Sequence, residues 1–207
     1  MISPTLLKAV TLVCSLKASP QPSSSHSLAH DLDDELKKHN VENEFIRIAD
    51  YNVKPGVLTD MGEGDDWPEI RQKILDADIL IMATPTWVGQ MSSMALRVVE
   101  RLDAELSETD DKGRLLTFGK VAIVAIVGNE DGAHKITADL LQCLNDVGFS
   151  IPAQAATYWN GEAMNTVDYN DLPKIPEKVL QTNKTVARNA AHLAHLLKEN
   201  AYPAENE

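Results

Sequence analysis

Asp78-Ile79-Leu80-Ile81-Met82-Ala83-Thr84-Pro85-Thr86-Trp87-Val88-Gly89-Gln90-Met91-Ser92-Ser93 is the stretch on which the fold turns. Residues 78–82 form a short apolar run, the pattern of a strand buried on both faces of a parallel sheet. Across 94–106, Leu96, Val99, Leu102 and Leu106 recur at helical spacing. A loop holding Pro, Gly and an aromatic is thereby placed where a strand's carboxyl end turns into a helix. In open α/β sheets ligands bind outside those carboxyl ends. The loop has few polar side chains and many backbone N–H groups. It suits a flat, partly apolar ring that needs edge hydrogen bonds and one packed face.

Working outward, 8–14 reads as the first strand and 15–25 as a loop rich in Ser and Pro. Leu28, Leu32 and Leu36 mark a helix to about position 39. A shorter second strand covers 44–48. The segment 55–66 holds three Gly and several acids and reads as an exposed loop. Trp67-Pro68 opens a helix through 75, with Pro in its first turn. Residues 105–113 read as charged and solvated. The stretch 120–127 is a strand, apolar throughout after Lys120, and 136–147 an amphipathic helix. A fifth strand interrupted by Pro152 lies within 149–158, a polar connection covers 160–177, a last helix 179–199 and a frayed tail 201–207. This is β–α alternation five times over without a break in composition. It predicts one domain across 1–207: an α/β, doubly wound three-layer sandwich, flavodoxin-like, with a five-stranded parallel sheet in the order 2-1-3-4-5. A (β/α)8 barrel needs eight units and is excluded.

Nineteen Lys and Arg against 31 Asp and Glu leave a net charge of −12. That argues against nucleic acid as a partner, and equally against anionic membrane surfaces. Cys14 and Cys143 suggest neither a disulfide framework nor a zinc site and read as core fillers. No apolar run approaches the ~20 residues that span a bilayer. No signal-peptide pattern opens the chain, so a cytoplasmic location is expected.

In that strand order the exit loops 15–25, 84–93 and 128–135 converge on one edge. The first carries Ser15, Lys17, Ser23, Ser24 and Ser25 and ends at a helix N-terminus, where free N–H groups and the dipole favour an anion such as a phosphate monoester. It has no Gly, so it is neither a Walker loop nor a GxGxxG fingerprint. An ordinary Ser N-cap behind a turn accounts for the same residues. The second loop reads either as a ring-binding turn or as a turn packed under Trp87. The third, Gly128-Asn129-Glu130-Asp131-Gly132-Ala133-His134-Lys135, either brings backbone close to a planar ligand or simply caps a helix with Asp131. His134 either titrates beside a bound anionic ring or sits exposed on that helix.

Together the Ser-rich first loop, TPTWVGQMSS at 84–93, GNEDGAHK at 128–135 and AATYWNGEA at 155–163 resemble the NAD(P)H-dependent FMN reductases of the flavodoxin-like superfamily, relatives of quinone- and azo-reducing flavoproteins. The likeness runs from about Lys8 to Tyr169. It implies FMN as cofactor and NADPH or NADH as cosubstrate. It puts the phosphate on Ser15, Lys17, Ser23, Ser24 and Ser25. It puts the isoalloxazine against Pro85, Thr86, Trp87, Val88, Gly89 and Gln90, with backbone N–H groups at 88–90 facing the ring edge. Gly128, Asn129, Asp131, Gly132 and His134 fall beside the other edge. The first loop departs from the family in lacking its Gly and Arg and in holding two prolines. The implied reaction passes hydride through FMN to a quinone, flavin or dye, with no side chain required as acid or base. A homodimer or homotetramer is implied, with Met91, Met94, Trp159 and 160–177 as candidates to cover a partner's flavin edge. Tyr158 and Trp159 otherwise read as core or interface aromatics. Two other classes stay open. One is a flavodoxin-type electron carrier without NAD(P)H activity, against which the missing Thr/Gly-rich phosphate loop weighs. The other is a flavin-free binding protein on the same fold.

Overall fold

The computed structural model describes residues 5–162 and 165–204. The elements are β1 Leu7–Val13, α1 Ser24–Leu36, β2 Val41–Arg47, α2 Trp67–Asp76, β3 Ile79–Trp87, β4 Gln90–Met91, α3 Ser93–Leu102, β5 Val121–Gly128, α4 Ala133–Asp146, β6 Ala156–Asn160 and α5 Glu177–Glu199. Five strands are parallel in the order β2-β1-β3-β5-β6, and β4 folds back antiparallel on β3. This is the flavodoxin-like order expected from the alternation, with β5 and β6 as the fourth and fifth parallel strands. No helix among the described residues is long and apolar enough to cross a membrane.

The period of two along each strand divides the core. Val10, Leu12, Leu80, Met82, Val124 and Ile126 face one side, where Trp67, Ile70 and Ile74 of α2, Val98 of α3 and Ile136 and Leu140 of α4 cover them. Leu7, Ala9, Ile79, Ile81, Val121 and Ile123 face the other, covered by Leu32 and Leu36 of α1 and by Val186, Ala187, Ala190 and Ala191 of α5. The alanines of α5 let the helix approach the sheet closely. Both faces are sealed, so the strand ends are left as the place for chemistry.

Several boundaries differ from the sequence reading, each for a local reason. β3 runs five residues beyond Met82, because Ala83, Thr84 and Pro85 continue the register with Ala125, Ile126 and Val127. β6 lies wholly after Pro152, and Ser150 makes only an isolated bridge to Val121. The segment 105–113 is not uniformly solvated: Glu105 is buried, its carboxylate taken by the Arg71 guanidinium at 2.6 Å. The acidic loop 55–66 is anchored rather than simply exposed. The Asp65 side chain is buried in an ion pair with Arg101 at 2.8 Å, and Arg101 also donates to the carbonyls of Lys54 and Leu58. In the tail, Tyr202 pairs its hydroxyl with Ser150 at 2.8 Å and packs its ring, tilted, against Phe118, so the tail is held at Tyr202. Residues 205–207 of the expected frayed tail lie outside the described residues, as do Ala163 and Met164 of the 160–177 connection.

Candidate functional site

A hydrogen-bonded joint fixes the first two loops against each other. Ser92 caps α3 by accepting from the Ala95 amide at 3.1 Å, and its hydroxyl donates to the Cys14 carbonyl at 2.6 Å. The Ser92 amide donates to Thr84 Oγ1 at 3.1 Å. The ends of β1 and β3 and the start of α3 are thereby tied through one serine. Cys14 itself is buried, and burial pushes its thiol pKa well up, as befits a core filler. Cys143 is half-buried on α4.

Over these strand ends lies a cleft of about 530 Å³, within the roughly 300–1,000 Å³ usual for ligand pockets. It brings together Ser15, Lys17, Ser23, Ser24 and Ser25 from the first loop, Pro85, Thr86 and Trp87 from the second, and Gly128 and Asn129 from the third. Ser23 is the N-cap of α1, its hydroxyl accepting from the His26 amide at 3.3 Å. The amides of Ser24 and Ser25 belong to the first turn, which a helix cannot satisfy from within. Lys17 is the one basic side chain among the described lining residues. The opposite end is walled by Pro85, Val127 and Trp87, a residue 53% exposed.

The other expected residues lie just outside this lining. Trp87-Val88-Gly89-Gln90 is a tight hairpin with φ of 52° at Val88 and 68° at Gly89, the positive values a type I′ turn requires. A β-branched residue in that region is strained, and Val88 is 87% exposed at the tip. The Val88 amide, expected at a ring edge, donates here to Glu130 Oε1 at 2.7 Å. Gln90 accepts from the Lys135 ammonium at 2.7 Å. The Asp131 carboxylate accepts from the Gly132 amide at 2.8 Å. It does not cap α4, whose N-cap is Gly132. A Cβ at Gly132, where φ is 143°, would stand 2.9 Å from Gly89 Cα, so the second and third loops meet glycine to glycine. His134 Nε2 stands 2.9 Å from the Tyr158 hydroxyl at the rim. Trp159, partly buried, packs edge-on to Tyr169 against a core cluster.

Sequence reading missed one wall. Asn165, Asp168, Asn170 and Asp171 line the cleft from the connection before α5. Asp168 and Asp171 close a reciprocal capping box around the turn Tyr169–Asp171, and Asn129 donates to Asp168 at 3.0 Å. The only available signal was the D-x-x-D spacing at 168–171. Glu130 was likewise passed over, although its carboxylate holds the hairpin.

The residues fit FMN. A phosphate would meet a helix N-terminus, the serines 15, 23, 24 and 25 and the Lys17 ammonium at one end. A flat ring would meet Pro85, Val127 and Trp87 at the other. Between them Thr86, only 4% exposed, holds a buried hydroxyl with no hydrogen-bond partner among the described residues.

A doubly wound sheet with such a cleft over β1, β3 and β5 defines a flavodoxin-like flavoprotein. The chain belongs to the NADPH-dependent FMN reductase family, whose profile matches residues 7–163. FMN is the cofactor of that family, with NAD(P)H as electron donor. It is 30% identical to the 8-demethyl-8-aminoriboflavin-5'-phosphate synthase of Streptomyces davaonensis, over 97% of this chain and 82% of that protein. It is 33% identical over 199 residues to the divalent metal cation transporter MntH of Mycobacterium bovis, covering 93% of this chain but spanning only 29% of the transporter's length. Among solved structures, RosB with bound 8-demethyl-8-formylriboflavin-5'-phosphate superposes with a TM-score of 0.85 at 30% identity, over 95% of this chain and 82% of RosB.

Proposed function

We propose that this chain folds as a single flavin-binding domain and acts as an FMN-dependent NAD(P)H oxidoreductase, reducing a small acceptor such as a quinone, a free flavin or an azo dye. The observation that carries the reading is the pairing, in one cleft, of an anion-binding helix start with an apolar wall and one orphaned hydroxyl between them. When bound, FMN would supply the redox chemistry, electron exchange between a nicotinamide and the acceptor. The protein's part is to hold and to shield. Ser23, Ser24, Ser25 and Lys17 bind the phosphate, Pro85 and Val127 exclude water from the ring, and Thr86 offers its hydroxyl. Trp87 borders the space left for nicotinamide and acceptor. No side chain is assigned as acid or base.

The test is an absorption spectrum of the purified protein from 300 to 600 nm, before and after anaerobic NADPH. The expected result is a two-banded flavin spectrum that bleaches at once and recovers on adding a quinone. Bound flavin that NADPH and NADH both fail to bleach would support an electron carrier. A protein that stays colourless after incubation with FMN would end the reading.

The likeness to the Streptomyces synthase supports a second reading, in which a flavin 5'-phosphate is substrate rather than resident. Mass analysis of the flavin recovered after turnover separates the two: an unchanged FMN mass supports the reductase. We also propose a homodimer or homotetramer. Trp87, Val88 and Tyr158 stand exposed around the cleft mouth, and clustered exposed apolar groups of that kind mark interaction sites. Light scattering should give a multiple of the 22.7 kDa chain mass; a monomer at micromolar concentration would refute the assembly.

A further inference from the structure

A second cavity, of about 630 Å³, adjoins the flavin cleft. The two share Pro22, Ser23 and Asn170 as walls. The second therefore opens from the serine end of the cleft, away from Trp87. Arg47, Lys174 and His26 line it. Among the described residues the Arg47 guanidinium makes one hydrogen bond, from Nη1 to the Gln21 carbonyl at 2.6 Å, and its buried Nε–H finds no acceptor. His26 Nδ1 is also buried without a partner. Burial, with His30 and Arg47 close by, pushes the His26 pKa down, as a desolvated and positive corner should. Lys174 is exposed at the rim and makes no salt bridge among the described residues. One carboxylate, Asp31, faces these groups, and the Tyr169 hydroxyl already donates to it at 2.6 Å.

Two cations against one occupied carboxylate are out of keeping with a chain of net charge −12. A buried donor without an acceptor is costly, and a guanidinium fork matches the spacing of phosphate oxygens. Pro20, Leu172 and Ile175 add apolar sides of the kind a base or ribose packs against.

We propose that this cavity is a phosphate subsite for the adenylate end of a dinucleotide whose other end lies in the flavin cleft. Two dinucleotides of a flavin enzyme carry that chemistry: NADPH through its adenosine 2′-phosphate, and FAD through its second phosphate. The proposal rests on the flavin reading of the cleft for its geometry. Its recognition residues are Arg47 and Lys174.

Calorimetric titration tests it. The FMN-loaded protein is titrated with adenosine 2′,5′-bisphosphate and with adenosine, and the flavin-free protein with FAD and with FMN. Each titration is repeated for Arg47→Ala and for Lys174→Ala, the latter on an exposed side chain that the fold does not need. If NADPH is the source, the bisphosphate binds where adenosine does not, and each variant weakens it about tenfold, a loss typical of one charged contact. If FAD is the source, FAD binds more tightly than FMN and each variant removes that advantage. If the bisphosphate binds no better than adenosine and FAD no better than FMN, or if both variants bind as wild type does, the subsite is refuted. FMN binding is measured in parallel, so its loss in the wild type would refute the cleft reading, whereas intact FMN binding with indifferent variants refutes the subsite alone.

Discussion

Thr84 and Thr86 sit two residues apart on β3 and so share one face of the strand, yet they spend their hydroxyls differently. Thr84 accepts the Ser92 amide at the joint between β1, β3 and α3. Thr86 Oγ1 is buried with no partner, and an unsatisfied buried hydroxyl costs about 1–3 kcal/mol. Thr86→Val keeps the shape and removes the hydroxyl. The flavin-free protein should therefore gain about 1 kcal/mol in urea denaturation. The same change should weaken FMN binding about tenfold in a fluorescence titration, the loss of roughly one hydrogen bond. Lower stability together with unchanged FMN affinity would show that the hydroxyl serves the fold and not a ligand. Sequence could name the loop 84–93 as special, but it could not tell these two threonines apart. That distinction depends on Ser92 and Cys14, which the fold brings in from elsewhere in the chain.

Among elements, the hairpin 87–90 and the turn 130–132 behave as one unit. Glu130 binds the Val88 amide, and Gly132 packs on Gly89 with no room for a Cβ. Gly132→Ala would place a methyl carbon 2.9 Å from Gly89 Cα at a φ of 143°, and backbone on both sides leaves no flexible atom to yield. The variant should lose about 2 kcal/mol, the usual cost of one residue held in a forbidden backbone region. It should also bind FMN more weakly, because the hairpin carrying Trp87 must move. Wild-type affinity with lowered stability would mean that the two loops are not coupled to the cleft. Elements with a clear period were legible in advance: the strands 120–127 and 78–82 and the helices over 67–75 and 179–199 all appear within a few residues. The wall at 165–171 was not. It is polar and aperiodic, and only its docking on Asn129 and, through Tyr169, on Asp31 of α1 gives it a place.

For the molecule as a whole, β–α alternation is visible in sequence and, with the right-handed rule for crossover connections, calls for a parallel sheet with helices on both faces; the order 2-1-3-4-5 was the flavodoxin-like arrangement that best fits five such units. Buried ion pairs between distant segments were not visible. Asp65, in a loop that read as exposed, buries its side chain against Arg101. Burial alone would raise its pKa, but the Met61, Lys54 and Trp67 amides and the Arg101 guanidinium together hold it below the ordinary value of 3.8. A carboxyl depressed in the folded state stabilises the protein above its unfolded pKa and loses that contribution as pH falls through the folded value. Wild-type stability should therefore hold at neutral pH and drop as pH falls from about 4 toward the lower folded pKa. Asp31 works the other way, since burial raises its pKa, so its contribution is present in acid and fades as pH rises through the raised value. Asp65→Asn isolates the first effect. It leaves Arg101 buried without its counter-charge, which should cost about 3–5 kcal/mol at pH 7. It should also flatten the acid limb of the stability curve, because the titrating group is gone. Urea melts of both proteins between pH 3 and pH 7 measure this. Parallel curves, offset but equally steep below pH 4, would show that acid sensitivity arises at other carboxylates and that the Asp65–Arg101 pair contributes only its constant share.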